Sequence, residues 1–152
     1  MAADSNKRIL VADDDVHLRE LVAARLRQRS LTVDEAASGT EAIALLRENK
    51  YTVVLLDLIM PDGDGFSVLE ELAREEVRVA PVVLVLTGAD RQTIARLDAN
   101  RIHGVVRKPF DIDELVSLVV ACSEVKSRGA LETMAIAMIS SAPILDLLRR
   151  FS

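Results

Sequence analysis

The sequence has few of the residues and runs that mark several classes of protein. It contains no tryptophan and a single cysteine, Cys122, so an internal disulfide is excluded and core packing in a helix is the expected role of that thiol. The longest uninterrupted hydrophobic run, at 134–139, is far shorter than the ~20 residues that span a membrane. The N-terminus, MAADSNKRIL, lacks the hydrophobic stretch of a signal peptide, and we expect a cytoplasmic protein without membrane attachment.

The composition is that of one globular domain. The chain has 152 residues, of which 50% are hydrophobic and 28% are charged, and these values exclude a disordered protein. Its net charge of −5 argues against nucleic acid as a partner, because binding to phosphates requires an excess of lysine and arginine. The charge is also uneven. Residues 125–152 carry four basic and two acidic side chains, which leaves a net −7 on the first 124 residues.

Hydrophobic runs and amphipathic segments alternate through those 124 residues. Five runs are typical of strands, namely 8–12, 31–36, 51–57, 82–87 and 104–106. A segment with helical spacing follows each run, and Asp15, either Ser38 or Thr40, and Asp111 are the predicted helix caps. Asp34 and Glu35 give the second run the polarity of an edge strand. The alternation predicts an α/β fold with a parallel sheet.

Chemically reactive side chains stand at the ends of four of the predicted strands. Asp13 and Asp14 follow the first strand and Asp57 ends the third. Thr87 ends the fourth strand and Lys108 follows the fifth. Parallel sheets place their functional sites at the carboxyl ends of the strands, so we expect these five side chains to converge.

Three neighbouring carboxylates need a cation. Oxygen-only ligands favour Mg²⁺, or Mn²⁺, over zinc, and we expect Asp13, Asp14 and Asp57 to hold such an ion. A carboxylate nucleophile beside a divalent ion suits phosphoryl transfer, with an aspartyl phosphate as product. Lys108 and the Thr87 hydroxyl would then contact the phosphoryl oxygens, and Gly88 would let the backbone come close to them.

Four segments carry a resemblance to a known family. LVADDD (10–15), VVLLDLIMPDGDG (53–65), VLVLTG (83–88) and VRKPF (106–110) closely resemble the receiver domain of bacterial response regulators, over about residues 7–124. The resemblance implies a flavodoxin-like (βα)5 fold, with a five-stranded parallel sheet in the order 2-1-3-4-5 and helices on both faces. It also implies a signalling switch rather than an enzyme acting on an external substrate.

The resemblance assigns a role to each matching residue. Asp57 would be the phosphoacceptor, Asp13 and Asp14 the acidic metal pair, Thr87 the switch hydroxyl and Lys108 the phosphate-binding lysine. The backbone carbonyl of Ile59 would be a further metal ligand, and the Lys108–Pro109 peptide is often cis in the family. The phosphodonor would be a sensor histidine kinase or a phosphotransfer protein, which would dock on the first helix, 16–29.

Two departures from the family pattern affect the switch. Val105 replaces the usual tyrosine or phenylalanine, so a rotating aromatic ring is excluded at that position. Ile59 and Ala89 are hydrophobic where family members tune the loss of the phosphoryl group, and neither side chain can position a water molecule. We therefore predict a long-lived phosphoryl group.

The sequence lacks residues that three other functions require. The PDGDG segment lacks the third oxygen ligand of a calcium loop, because Phe66 stands there. A haloacid-dehalogenase-type phosphatase needs an acid where Ile59 stands, and His17 and His103 are expected to be surface residues rather than zinc ligands. The remaining alternative is a pseudo-receiver, which has the same fold but acts as a phosphorylation-independent module for protein binding or dimerisation.

The last residues form a separate part of the expected architecture. We divide the chain into a receiver domain at 1–124 and a helical extension at 125–152, with two short helices broken at Pro143. Leu118 and Val120 lie off the main hydrophobic face of the preceding helix, and we expect the extension to cover them or to form a homodimer. The downstream partner is an unknown protein, and the chain is also compatible with a piece of a longer regulator.

Overall fold

The computed structural model describes residues 7–61, 65–75 and 80–128 of the chain. Within them, strands and helices alternate along the whole sequence. The strands are β1 (Arg8–Ala12), β2 (Thr32–Ala36), β3 (Val53–Leu56), β4 (Val82–Thr87) and β5 (Gly104–Arg107). The helices are α1 (Val16–Gln28), α2 (Gly39–Glu48), α3 (Gly65–Leu72), α4 (Arg91–Ala95) and α5 (Ile112–Arg128).

The five strands form one parallel sheet in the order β2-β1-β3-β4-β5. This order confirms the expected topology and places the polar β2 at an edge. β1 and β3 lie side by side, with Ala12 opposite Leu56, so the residues that follow these two strands emerge next to each other.

Helices cover both faces of the sheet, as a parallel sheet of hydrophobic strands requires. Successive strand residues point to opposite faces, so Ile9 and Val11 pack with α1 and α5, whereas Leu10 and Ala12 pack with α2 and α3. Cys122 packs at the margin of the first of these clusters, and its burial raises the pKa of the thiol to about 12. The predicted packing role of this cysteine is confirmed.

Short polar side chains begin most of the helices. The Asp15 carboxylate accepts a hydrogen bond from Leu18 N–H at 3.1 Å, and the Asp111 carboxylate accepts one from Glu114 N–H at 2.9 Å. Of the two candidates for α2, Ser38 is the cap, because its hydroxyl accepts from Glu41 N–H. Since these bonds satisfy backbone donors that have no partner within the helix, they set where each helix starts.

One expectation about side chains needs correction, and another gains a detail. Leu118 is only 7% exposed and belongs to the core, and Val120 packs beside it, because α5 contacts β3, β4 and α1 and so buries a wider arc than one hydrophobic face. Elements within the described part of the chain therefore cover Leu118. His103 is exposed as predicted, but its Nδ1 also accepts a hydrogen bond from Val83 N–H at 3.0 Å.

The predicted extension falls largely outside the described residues. α5 continues through residue 124 to Arg128, and the two short helices expected around Pro143 lie beyond it. Within the described residues, no helix is long and hydrophobic enough to cross a membrane.

Candidate functional site

The strand order brings the predicted site residues to one edge of the sheet. Asp13 N–H donates to Ala36 O at 3.0 Å and Asp57 N–H donates to Ala12 O at 2.9 Å, so both aspartates extend the ladder just past the last strand residues. Lys108 N–H donates to Thr87 O at 3.0 Å in the same way. Asp13, Asp14, Asp57 and Lys108 come together as expected from the strand ends, while the approach of the Thr87 hydroxyl to them remains a prediction.

Three carboxylates form a compact acidic cluster at this edge. One oxygen atom from each of Asp13, Asp14 and Asp57 lies within 4.8 Å of the others. Asp13 is 1% exposed and Asp57 is 5% exposed, whereas Asp14 faces solvent. Two of the three charges are thus held out of water, where their mutual repulsion is strong.

Lys108 connects the two buried carboxylates. Its Nζ lies 2.7 Å from Asp13 Oδ2 and 3.1 Å from Asp57 Oδ2. Burial alone would lower the pKa of Lys108, but the hydrogen bond to Asp13 and the charges of Asp57 and Asp13 outweigh it and hold that pKa above its usual value. The lysine therefore stays protonated beside the cluster.

One ammonium group does not balance three carboxylates. Burial raises the pKa of Asp57 above its ordinary value despite the hydrogen bond from Ile59 N–H and the charge of Lys108. The net excess of two negative charges and the all-oxygen donor set fit a hard divalent ion such as Mg²⁺ or Mn²⁺.

The same local turn orients the side chain at three strand ends. The N–H group two residues further along donates to Asp13 Oδ1 at 2.9 Å, to Asp57 Oδ1 at 3.2 Å and to Thr87 Oγ1 at 3.0 Å. The donors are Asp15, Ile59 and Ala89. Aspartate and threonine favour such turns because their short side chains reach the backbone, so these residue types both end the strands and aim the polar groups.

Ile59 and Ala89 occupy the positions expected to tune phosphoryl loss. Ile59 is 61% exposed beside Asp57, whereas Ala89 is 4% exposed next to the fully buried Thr87. The backbone N–H of each residue donates a hydrogen bond within the turn. Each residue therefore gives the site a main-chain donor and a hydrophobic side chain. The Ile59 carbonyl as a metal ligand remains a prediction.

A close backbone contact is found at Gly65, while the expected approach of the Gly88 backbone to a phosphoryl group remains a prediction. A Cβ added at Gly88 would have nothing within 4 Å, whereas one at Gly65 would lie 2.5 Å from Asp57 O and 2.6 Å from Leu58 Cα. Gly65, which the sequence analysis placed only in a loop motif, is therefore the glycine that a close backbone approach requires. The sequence signal that could have identified it was its position just after Asp62 and Asp64, where a helix was predicted to start.

The β5 side of the site follows the family pattern in one respect and departs from it in another. The Lys108–Pro109 peptide is cis, as the resemblance implied. Val105 is 8% exposed and packs in the core cluster with Val85 and Ile102, so no aromatic ring stands at this position.

Sequence reasoning missed one charged residue of the site. Arg19, on α1, donates from Nη1 to the backbone carbonyl of Asp13 at 2.8 Å and from Nε to Glu35 Oε1 at 3.3 Å. A helix that starts at Asp15 places its second turn over this strand end, but only the folded arrangement of α1 and β2 identifies both contacts.

Comparison with known proteins assigns the chain to a family. A family model described as the response regulator receiver domain matches residues 9–120. The chain belongs to this family, and its fold and acidic cluster are those of a two-component receiver concerned with phosphorylation-dependent signalling.

Individual relatives agree with this assignment. The transcriptional regulatory protein TcrA of Mycobacterium tuberculosis is 36% identical over 119 residues, which cover 78% of this chain and 47% of TcrA. The chain thus spans about half the length of the curated relatives it matches.

Solved receiver structures are similar as well. The non-phosphorylated HemR receiver domain of Leptospira biflexa is 32% identical, with a TM-score of 0.66 over 80% of this chain and 94% of that one. Response regulator TrrA of Thermotoga maritima, solved in complex with Mg(2+)-BeF, is 30% identical, with a TM-score of 0.66 over 76% of this chain and 98% of that one.

Proposed function

We propose that this protein is a phosphorylation switch in which Asp57 accepts a phosphoryl group from a histidine kinase or phosphotransfer protein. Asp13, Asp14, Asp57 and the Ile59 carbonyl hold Mg²⁺ or Mn²⁺ in this proposal. The observation that carries it is the acidic cluster bridged by Lys108, since the Nζ of that lysine lies within 3.1 Å of both buried carboxylates.

In the transfer step, a carboxylate oxygen of Asp57 attacks the phosphorus atom of a donor phosphohistidine. The phosphorus–nitrogen bond breaks, and the imidazole leaves with that electron pair and takes up a proton. The nucleophile is the Asp57 carboxylate, whose Oδ1 accepts a hydrogen bond from Ile59 N–H. A bound divalent ion supplies charge neutralisation for the transferred oxygens.

In this proposal, Lys108 and Thr87 bind the new phosphoryl oxygens. Lys108 Nζ already contacts Asp57 Oδ2 and pairs with an anionic oxygen as it arrives. The Thr87 hydroxyl oxygen accepts from Ala89 N–H, so its own proton is available to donate to the phosphoryl group. The protein thereby catalyses only its own phosphorylation and dephosphorylation.

The donor docks on α1 beside the acidic cluster. Val16 and Leu21 on this helix are 47% and 46% exposed, and Ile59 next to Asp57 is 61% exposed. Large hydrophobic side chains in contact with water support a protein–protein contact at this face. The donor and the switch meet in the cytoplasm.

Output passes through another protein rather than through nucleic acid. We divide the chain into a receiver at 1–124 and an extension at 125–152, and assign contact with the downstream partner or with a second copy of the chain to the extension. The net −7 of the first 124 residues supports a protein target, because an acidic surface repels phosphates.

The test is phosphoryl uptake measured by intact-protein mass spectrometry. The chain is incubated with a small phosphodonor, with and without Mg²⁺, beside the variant Asp57→Asn. We expect a gain of one phosphoryl group that requires Mg²⁺ and is lost in the variant. If the wild-type chain gains none, a phosphorylation-independent pseudo-receiver is the better interpretation.

A further inference from the structure

Arg19 is a largely covered cation at the acidic edge that the proposed phosphoryl transfer does not use. Its side chain is 12% exposed, and its guanidinium lies between the end of β1 and the end of β2. A long charged side chain is costly to bury unless its donors are satisfied, so its contacts call for a functional explanation.

The contacts of Arg19 converge on the backbone of a metal-ligand candidate. Nη1 donates to Asp13 O at 2.8 Å, and Nε donates to Glu35 Oε1 at 3.3 Å. Asp13 follows the last residue of β1, so its carbonyl lies beyond the last paired strand residue. Without the guanidinium, this carbonyl of a 1% exposed residue would lose a strong, charged donor.

Every polar group of Asp13 therefore has a hydrogen-bond partner. Its N–H donates to Ala36 O, its Oδ1 accepts from Asp15 N–H and its Oδ2 accepts from Lys108. Arg19 supplies the remaining contact, at the carbonyl. That carbonyl belongs to the peptide between Asp13 and Asp14. The orientation of this peptide therefore sets the direction in which both side chains leave the backbone.

We propose that Arg19 is a positioning residue, whose guanidinium fixes the Asp13–Asp14 peptide against Glu35 and so sets the geometry of the metal-binding carboxylates. This inference rests on the proposed function. Arg19 reaches the carbonyl and the carboxylate from two different nitrogen atoms of a rigid planar fork, whereas lysine would have to reach both acceptors from one nitrogen atom on a flexible stem.

The chain provides a matched control on the same helix. Arg27 also contacts Glu35, at 3.4 Å, and donates to a backbone carbonyl, that of Val33, at 2.8 Å. Val33 lies within β2 and Arg27 has no contact with Asp13 among its hydrogen bonds. Loss of Arg27 therefore perturbs the same salt-bridge cluster and leaves the metal ligands in place.

The experiment compares Mg²⁺ affinity with stability. Arg19→Lys, Arg19→Gln and Arg27→Lys are made in the full chain, Mg²⁺ binding is measured by isothermal titration calorimetry, and unfolding is followed in urea. We expect Arg19→Lys to bind Mg²⁺ roughly tenfold more weakly, the loss typical of groups that orient metal ligands, and Arg27→Lys to match the wild type. Raising the Mg²⁺ concentration should restore the phosphorylation rate of Arg19→Lys.

Arg19→Gln separates orientation from charge. If the guanidinium acted mainly as a competing positive charge, its removal would tighten Mg²⁺ binding, whereas positioning predicts weaker binding in both Arg19 variants. Unchanged affinity in Arg19→Lys, tighter binding in Arg19→Gln, or an equal loss in Arg27→Lys would overturn the proposal. A wild-type chain that binds no Mg²⁺ would instead refute the proposed function itself.

Discussion

Replacing Gly65 by alanine should disturb the strand end that carries Asp57. Gly65 begins α3, and its N–H donates to Leu58 O at 2.9 Å. The added Cβ would lie 2.5 Å from Asp57 O and 2.6 Å from Leu58 Cα. Both neighbours are main-chain atoms, so rotation of a side chain cannot relieve the clash.

Two opposing energies determine the result. Alanine is a better helix former than glycine by about 0.5–1 kcal/mol. Overpacking at a tight contact costs about 1–3 kcal/mol, and ordinary Cβ contacts here begin at 3.4 Å, so α3 or the backbone of Asp57 and Leu58 must shift by nearly an ångström. The contact should therefore dominate, and we expect a net loss of about 1–2 kcal/mol in the free energy of unfolding.

Urea denaturation of the wild type, Gly65→Ala and Gly88→Ala measures this balance. The Gly88 variant is the control, since a Cβ there would meet nothing within 4 Å, and we expect it to stay within about 0.5 kcal/mol of the wild type. A Gly65→Ala protein as stable as the wild type, or more stable, would refute the contact argument, because helix propensity alone would then account for it.

Three further predictions concern the switch, the pH response and the extension. A phosphoryl group on Asp57 should decay slowly without a phosphatase, and Ile59→Asn should hasten its loss severalfold because the amide can hold a water molecule nearby. Mass spectrometry over time measures the decay, and rapid loss from the wild type would contradict this prediction. His103 is exposed as a residue, but neighbouring groups desolvate its ring, and this desolvation, aided by the charge of Lys126, lowers the pKa of His103 below its usual 6.5. Protonated Nδ1 cannot accept from Val83 N–H. His103 should therefore contribute stability above its usual pKa, and this contribution should be lost as the pH falls through the lowered pKa. Between about pH 7.5 and 5, the urea midpoint should fall less in His103→Asn than in the wild type. Light scattering should find that any homodimer of the full chain is absent from a 1–124 truncation, and a dimer that survives truncation would count against contact through the extension.

Much of the site could be predicted because its residues follow strands. In a parallel sheet the carboxyl ends of the strands meet at one edge, so Asp13, Asp57 and Thr87 were expected at that edge once three strands were recognised. Lys108 followed from the same reasoning, and the structure places its Nζ between two of the carboxylates. These predictions needed only hydrophobic runs and the chain order.

Contacts between separate elements were out of reach of the same reasoning. Glycine is required at position 65 because the backbone of Asp57 lies against it. Gly88 directly follows a strand, yet a Cβ there would contact nothing. Leu118 is buried because α1 and the sheet both flank α5. Periodicity describes one helix at a time, so it could not reveal which second surface would cover that side chain.

The repeated turn at the strand ends determines how the central experiment should be interpreted. Asp57 Oδ1 accepts from Ile59 N–H, and the amide oxygen of an asparagine accepts the same hydrogen bond. Asp57→Asn therefore preserves the local turn while it removes the charge and the nucleophile. Burial raises the pKa of Asp57 even with Lys108 beside it, so the folded chain disfavours the charged form and the neutral amide should not lower the urea midpoint although it weakens the contact with Lys108. Loss of phosphoryl uptake would then report the chemistry of Asp57 rather than unfolding.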